Sequence, residues 1–128
     1  MEGSLELIHR LEEYYHLLLA SSATSITIGE VLRKFNLVKT FPIFIGGDMV
    51  YNSKPNPEIF LKIADQAGVK PDECVVIEDA EHGVNAAKRA GMKTIGFQNH
   101  HSGTQNLKNA DRVVDGLDDI TVDLIRGL

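Results

Sequence analysis

Cysteine is almost missing from this chain: Cys74 stands alone, so neither an intrachain disulfide nor a cysteine-rich metal site can form. Its apolar surroundings, Cys74-Val75-Val76-Ile77, predict a buried structural thiol. Long apolar runs are missing as well. None approaches the roughly 20 residues that a membrane-spanning helix needs, and Met1 to Arg10 carries acids without the apolar stretch of a cleavable leader. The cytoplasm is therefore the expected location, with no membrane partner. Nor is there a block of lysine and arginine. The 13 basic residues are outnumbered by 18 acidic ones, which leaves no footprint for nucleic acid. The net charge of -5 bears mainly on solubility.

What is present is 128 residues, 43% hydrophobic and 24% charged, the make-up of one globular domain. From about residue 15 onward, short apolar runs alternate with longer stretches of helical period, the signature of βαβ units and a parallel sheet. Strands are predicted at His16 to Ala20, Pro42 to Gly46, Cys74 to Ile77, Lys93 to Phe97 and Arg112 to Val114. Ile28, Val31, Leu32 and Phe35 form one helical stripe, and Ile59, Phe60, Ile63, Ala64 and Ala67 form a second, both facing the sheet. Pro57 suits the first turn of that second helix, and Gly68 suits a left-handed cap at its end. A third helix is expected from Glu81 to Ala90, capped by Gly91, and a short final one from Leu117 to Ile125. Asn99 to Lys108 has no apolar period and reads as an exposed loop, with His100 and His101 in solvent.

In parallel α/β sheets, ligands gather beyond the carboxyl ends of the strands. Ser21 and Ser22 follow the first predicted strand; Gly46, Gly47 and Asp48, with Lys54 a little further on, follow the second; Glu78 and Asp79 follow the third. A hydroxyl can donate to phosphoryl oxygens and an ammonium can neutralise their charge, so Ser21, Ser22 and Lys54 are the phosphate candidates. Two adjacent carboxylates are hard oxygen donors of the kind Mg²⁺ takes, so Glu78 and Asp79 are the metal candidates. Each position also has a plainer use. Ser21 suits a helix cap, Lys54 a solvated charge, and Asp79 the N-cap of the third helix. His82 could cap that helix or face the cleft, and Asp48 could reach the site or cap a turn. What favours the functional reading is that complementary groups recur after successive strands.

Three stretches carry a resemblance: Leu-Leu-Leu-Ala-Ser-Ser at 17 to 22, Ser-Lys-Pro-Asn-Pro-Glu-Ile-Phe at 53 to 60, and Val-Val-Ile-Glu-Asp-Ala-Glu-His-Gly-Val at 75 to 84. In that order they resemble the haloacid dehalogenase superfamily, and Asn85 to Met92 extends the likeness towards its β-phosphoglucomutase-like branch. The resemblance implies a three-layer, Rossmann-like α/β core binding Mg²⁺ and a small phosphorylated metabolite, with a sugar phosphate expected. Ser21 matches the hydroxyl that holds the phosphoryl group, Lys54 the lysine that stabilises its charge, and Glu78 and Asp79 the acidic metal pair. In such enzymes an aspartate attacks phosphorus and a second, two residues later, supplies acid-base catalysis. No Asp-x-Asp occurs in this chain, and Met1 to Tyr14 holds no aspartate.

The strand bearing that motif is central in the superfamily, between the serine strand and the Glu78-Asp79 strand, so its absence should open the sheet. The expectation is a single partial core over residues 1–128, with residues 1–14 a helix left from a missing cap connection. Such a truncated phosphatase or mutase would be inactive alone, and it would pair with an N-terminal segment or with itself. The competing expectation is a non-catalytic phosphate-binding or interaction domain that uses its sheet edges to join a partner. A flavodoxin-like binding domain would share much of the strand order.

Overall fold

The computed structural model describes residues 3–100, 103 and 105–128. Helix α1, Ser4–Glu12, leads into the two-residue strand β1, Leu19–Ala20. Then follow α2 (Ser25–Lys34), β2 (Phe44–Ile45), α3 (Glu58–Ala67) and β3 (Val75–Glu78). The chain closes with α4 (Glu81–Arg89), β4 (Lys93–Phe97), β5 (Arg112–Val114) and α5 (Val122–Arg126). Every strand pairing is parallel, as the alternation of apolar runs with helical stretches requires.

The strands do not make one sheet. Among the described residues β1 pairs only with β2, Leu19 opposite Phe44, while β3, β4 and β5 form a separate sheet with β4 in the middle. Among the described residues one edge of β1 and one edge of β3 are therefore left without a strand, and the opening expected for the sheet lies between them. The consequence is visible in burial. Thr94 to Phe97 of β4 are buried, whereas Val76, Ile77 and Glu78 of β3 are only half-buried.

Helices cover both faces and hold the two sheets together. On one side, Ile59, Phe60, Ile63 and Ala64 of α3 and Ala86 and Ala87 of α4 pack with Ile45, and Leu18, Ala20 and Val76 lie against them. On the other, Leu7 and Leu11 of α1 pack with Ile95, Phe97, Leu117 and Ile120, with Leu17 and Ile77 alongside. Ile28 and Leu32 of α2 complete this second layer with Leu37 and Phe41. Residues next to β1 and residues of β3 thus enter both layers, so the opening between the sheets is roofed on each face. This is the three-layer α/β arrangement, and it needs side chains of alternating direction along each strand.

Local chemistry sets the helix ends. Thr24 caps α2 by accepting from the Thr27 N–H at 3.2 Å. Gly68, at φ 71°, ends α3 in the left-handed conformation, and Gly91, at φ 81°, does the same after α4. Arg10 ties α1 to the C-terminal region by donating to the carbonyls of Leu117 and Ile120.

Several sequence expectations are corrected. The first two strands are shorter than predicted, because a ladder exists only where a neighbour supplies hydrogen bonds and β1 has a single partner. The expected helix from Leu117 to Ile125 is broken. Leu117–Asp119 forms a 3₁₀ turn, Ile120 is extended, and Thr121 caps α5 by accepting from the Leu124 N–H. Val31 and Phe35 of α2 are 46% and 48% exposed, since the two-stranded sheet beneath is wide enough only for Ile28 and Leu32. Within the expected loop, Leu107 is buried against the strand layer, 2% exposed, whereas His100 is exposed as expected and His101 lies outside the described residues. Cys74 is half-buried rather than buried, and loss of hydration, followed by the charges of Glu73 and Asp72, pushes its thiol up from the ordinary range.

Candidate functional site

The loops that leave β1 and β2 are pressed together. Ser21 donates its N–H to Ile45, and its hydroxyl oxygen accepts from the Ala23 N–H at 3.1 Å, so it shapes a turn before α2 rather than capping the helix. The Gly47 N–H reaches the Ala23 carbonyl at 2.8 Å. A Cβ on Gly47 would stand 2.5 Å from the Ser22 carbonyl oxygen, and one on Gly46 would stand 2.6 Å from the Ser25 nitrogen. Glycine is therefore what allows the two turns to touch. Ser22 is exposed on the same turn. Asp48 takes the Ser25 hydroxyl and the Ser25 N–H, each at 2.8 Å, and these bonds hold its carboxyl below the ordinary range. Asp48 clasps the start of α2 rather than capping a turn of its own loop.

Lys54 lies further along the β2 loop, before a cis bond to Pro55. Its ammonium is 3.2 Å from Glu78 Oε2 and 5.3 Å from the centre of the Phe60 ring, and its side chain is 13% exposed. It is not the solvated surface charge of the plainer reading. Three long side chains fasten this loop through its backbone. Glu58 accepts from the Tyr51 and Asn52 N–H groups at 2.8 Å, Lys62 donates to the Met49 carbonyl, and Arg89 donates to the Pro55 carbonyl at 3.1 Å. The Tyr51 bond first, and then those from Asn52, lower the Glu58 carboxyl from its usual range.

Glu78 ends β3 with its side chain 14% exposed, turned towards Lys54 on one oxygen and accepting from the Ala80 N–H at 3.3 Å on the other. Asp79 follows it and accepts from the Asn99 side chain at 2.9 Å. The first turn of α4 is held by Gln105, whose side-chain oxygen accepts the Glu81 N–H at 3.0 Å, while the helix N-cap is Ala80 rather than Asp79. Adjacent carboxylates at one strand end suit Mg²⁺, which takes one or two protein carboxylates and keeps several waters. They fit as a partial donor set: among the described residues, no three or more His, Cys, Asp or Glu side chains gather at one point. His82 is exposed. A cavity of about 380 Å³ lined by Asn85, Lys88, Arg89 and Asn109 includes none of the candidate residues.

The fold thus joins Lys54 directly to Glu78, sets Asp79 next after Glu78 with its carboxylate on Asn99, and places Ser21 and Ser22 on a turn braced by the loop that carries Lys54. Phe60, Glu58, Lys62, Arg89, Asn99 and Gln105 were not singled out in the sequence. Phe60 reads as ordinary core there, and the others are polar residues whose partners lie on distant segments.

Residues 1–97 match the family model described as haloacid dehalogenase-like hydrolase. Among curated proteins, the phosphorylated carbohydrates phosphatase of Thermotoga maritima is 43% identical over 79 residues, covering 62% of this chain and 37% of that protein. The β-phosphoglucomutase of Bacillus subtilis is 35% identical over 107 residues, covering 84% of this chain and 45% of that protein. The chain spans half or less of the length of these relatives. Among solved structures, the β-phosphoglucomutase of Clostridium difficile superposes with a TM-score of 0.80 at 30% identity, covering 98% of this chain and 54% of that one. A mutant of CbbY of Rhodobacter sphaeroides, solved in complex with xylulose-(1,5)bisphosphate, gives 0.77 at 27% identity, covering 91% and 53%.

Proposed function

The chain belongs to the haloacid dehalogenase-like hydrolases, and on that premise we propose that it is the phosphate- and metal-binding portion of a Mg²⁺-dependent phosphatase or phosphosugar mutase. The substrate class is a small phosphorylated metabolite, with a sugar phosphate favoured by the names of its relatives. The observation that carries this reading is the Lys54–Glu78 pair, a sheltered cation and carboxylate at 3.2 Å where two loops meet beyond their strands.

In this reading Lys54 neutralises the phosphoryl oxygens, and the Ser21 hydroxyl donates to one of them from its braced turn while Ser22 lines the same side. Glu78 and Asp79 hold the ion. When bound, Mg²⁺ would draw charge from the transferring group. Glu78 also holds the Lys54 ammonium at the end of β3, so it needs little reorganisation to meet an anion. Nucleophilic attack requires a carboxylate in line with phosphorus, and none of Ser21, Lys54, Glu78 and Asp79 matches that role. We assign it to an Asp-x-Asp strand seated between β1 and β3, whose unpaired edges and roofed faces support such a guest. The same edges fit the second reading, a non-catalytic phosphate-binding module.

The test is hydrolysis of a panel of sugar phosphates with Mg²⁺, by the chain alone and with a segment from a relative that carries Asp-x-Asp. Turnover only with the segment, abolished by Lys54→Met, is the expected result. Robust turnover by the chain alone would overturn the assignment of the nucleophile. Phosphate binding without turnover in either case favours the binding module.

A further inference from the structure

We propose that Gly83 is a positioning residue for the candidate site, its missing Cβ being what seats the Glu78 carboxylate against the first turn of α4 within reach of Lys54. A Cβ on Gly83 would stand 2.0 Å from Glu78 Cδ and 2.3 Å from both Cγ and Oε2, far inside contact distance. Its backbone does not demand glycine. Among the described residues the glycines at positive φ are Gly3, Gly68, Gly91 and Gly103, and Gly83 lies inside α4, where alanine is the better helix former. The three atoms nearest to that space all belong to the Glu78 side chain, and that side chain belongs to the candidate site.

Glu78 is tethered through both carboxylate oxygens. One carboxylate oxygen is held by the Ala80 N–H and the other by Lys54, and the side chain is 14% exposed. A side chain at position 83 displaces the carboxylate from α4 and so weakens the Lys54 contact, which leaves a sheltered ammonium above the Phe60 ring with less of its counter-charge. The seating stands on this geometry by itself. Its use in holding Lys54 and a metal donor at the strand end rests on the functional reading above.

A mutant cycle tests it without any turnover measurement. Gly83→Ala is made in the natural chain and in Glu78→Ala, and urea midpoints are compared. If the clash with Glu78 is the cause, Gly83→Ala lowers the midpoint in the first background and raises it in the second, where only the gain in helix propensity remains. The ε-methylene protons of Lys54, observed by NMR, shift in Gly83→Ala as the ammonium loses its partner. An equal loss of stability in both backgrounds, or unmoved Lys54 signals, would overturn the proposal. Should Gly83→Ala fail to fold, Gly83→Ala must still fold in a Glu78→Ala background that folds by itself, and its failure there is equally decisive against the proposal. Should Glu78→Ala itself be unstable, Lys54→Met/Glu78→Ala replaces it as the second background. A phosphatase assay that fails leaves this result untouched.

Discussion

Removing the Lys54 ammonium should cost stability even though the substitution leaves a well-shaped apolar side chain. In Lys54→Met the Glu78 carboxylate keeps only the Ala80 N–H, in a setting where its side chain is 14% exposed. Removing one partner of a fully buried pair costs about 3–5 kcal/mol, and exposed pairs are worth about 0–1 kcal/mol. At 13% and 14% exposure the pair lies nearer the buried limit but keeps an outlet to water, so about 2 kcal/mol is expected. Loss of the Phe60 contact adds about 0.5–2 kcal/mol. Glu78→Ala should cost a similar amount, for the converse reason that the ammonium is left alone. The double variant removes both charges and should cost clearly less than the sum of the single changes, a coupling of about 1–2 kcal/mol. Equilibrium urea unfolding of the four proteins supplies the numbers, provided the slopes agree. Strictly additive losses would show that the two groups do not act as a pair and would refute the reasoning from their sheltered contact.

Two further outcomes follow from the same geometry. Gly47→Ala places a Cβ 2.5 Å from a backbone oxygen that cannot rotate away, so the β1 and β2 turns must separate. Stability should fall, and the amide signals of Ser21 to Ser25 should move together, whereas Gly68→Ala should disturb only the end of α3. The pH profile should form a plateau bounded on both sides. Although burial opposes ionisation of Asp111, hydrogen bonds from Lys88 and the Thr94 N–H hold its carboxyl below the ordinary range, and Asp48, Glu58 and Glu12 are lowered by their own hydrogen bonds. A lowered folded value means that the unfolded chain takes up protons first, so stability is lost as pH falls from about 4 downward. The Cys74 thiol is raised, so the unfolded chain releases its proton first and stability declines above about pH 8.5. Asp111→Asn should flatten the acid limb and Cys74→Ala the alkaline one, both read from unfolding midpoints across pH.

The βαβ order, α3 and α4, and the glycine caps at Gly68 and Gly91 were legible in the sequence because each rests on neighbours a few residues apart. Ser21, Lys54, Glu78 and Asp79 were legible as candidates because strand ends in a parallel sheet all point one way and their motifs are short. The third dimension decided the rest. Lys54 and Glu78 are 24 positions apart in the sequence, and only the packing of α3 and α4 on one layer brings their charges to 3.2 Å. Val31 and Phe35 keep a perfect helical spacing with Ile28 and Leu32 yet remain out of the core, because periodicity defines a stripe but not how much sheet lies beneath it. Gly83 reads in the sequence as a glycine that permits close packing or close approach of a ligand near the start of α4, and only the folded chain shows that the group lying across it is the Glu78 side chain. Local periodicity and capping act within one or two turns and are written in order along the chain. Pair distances, open edges and the space beside a glycine depend on segments that meet only when the layers close.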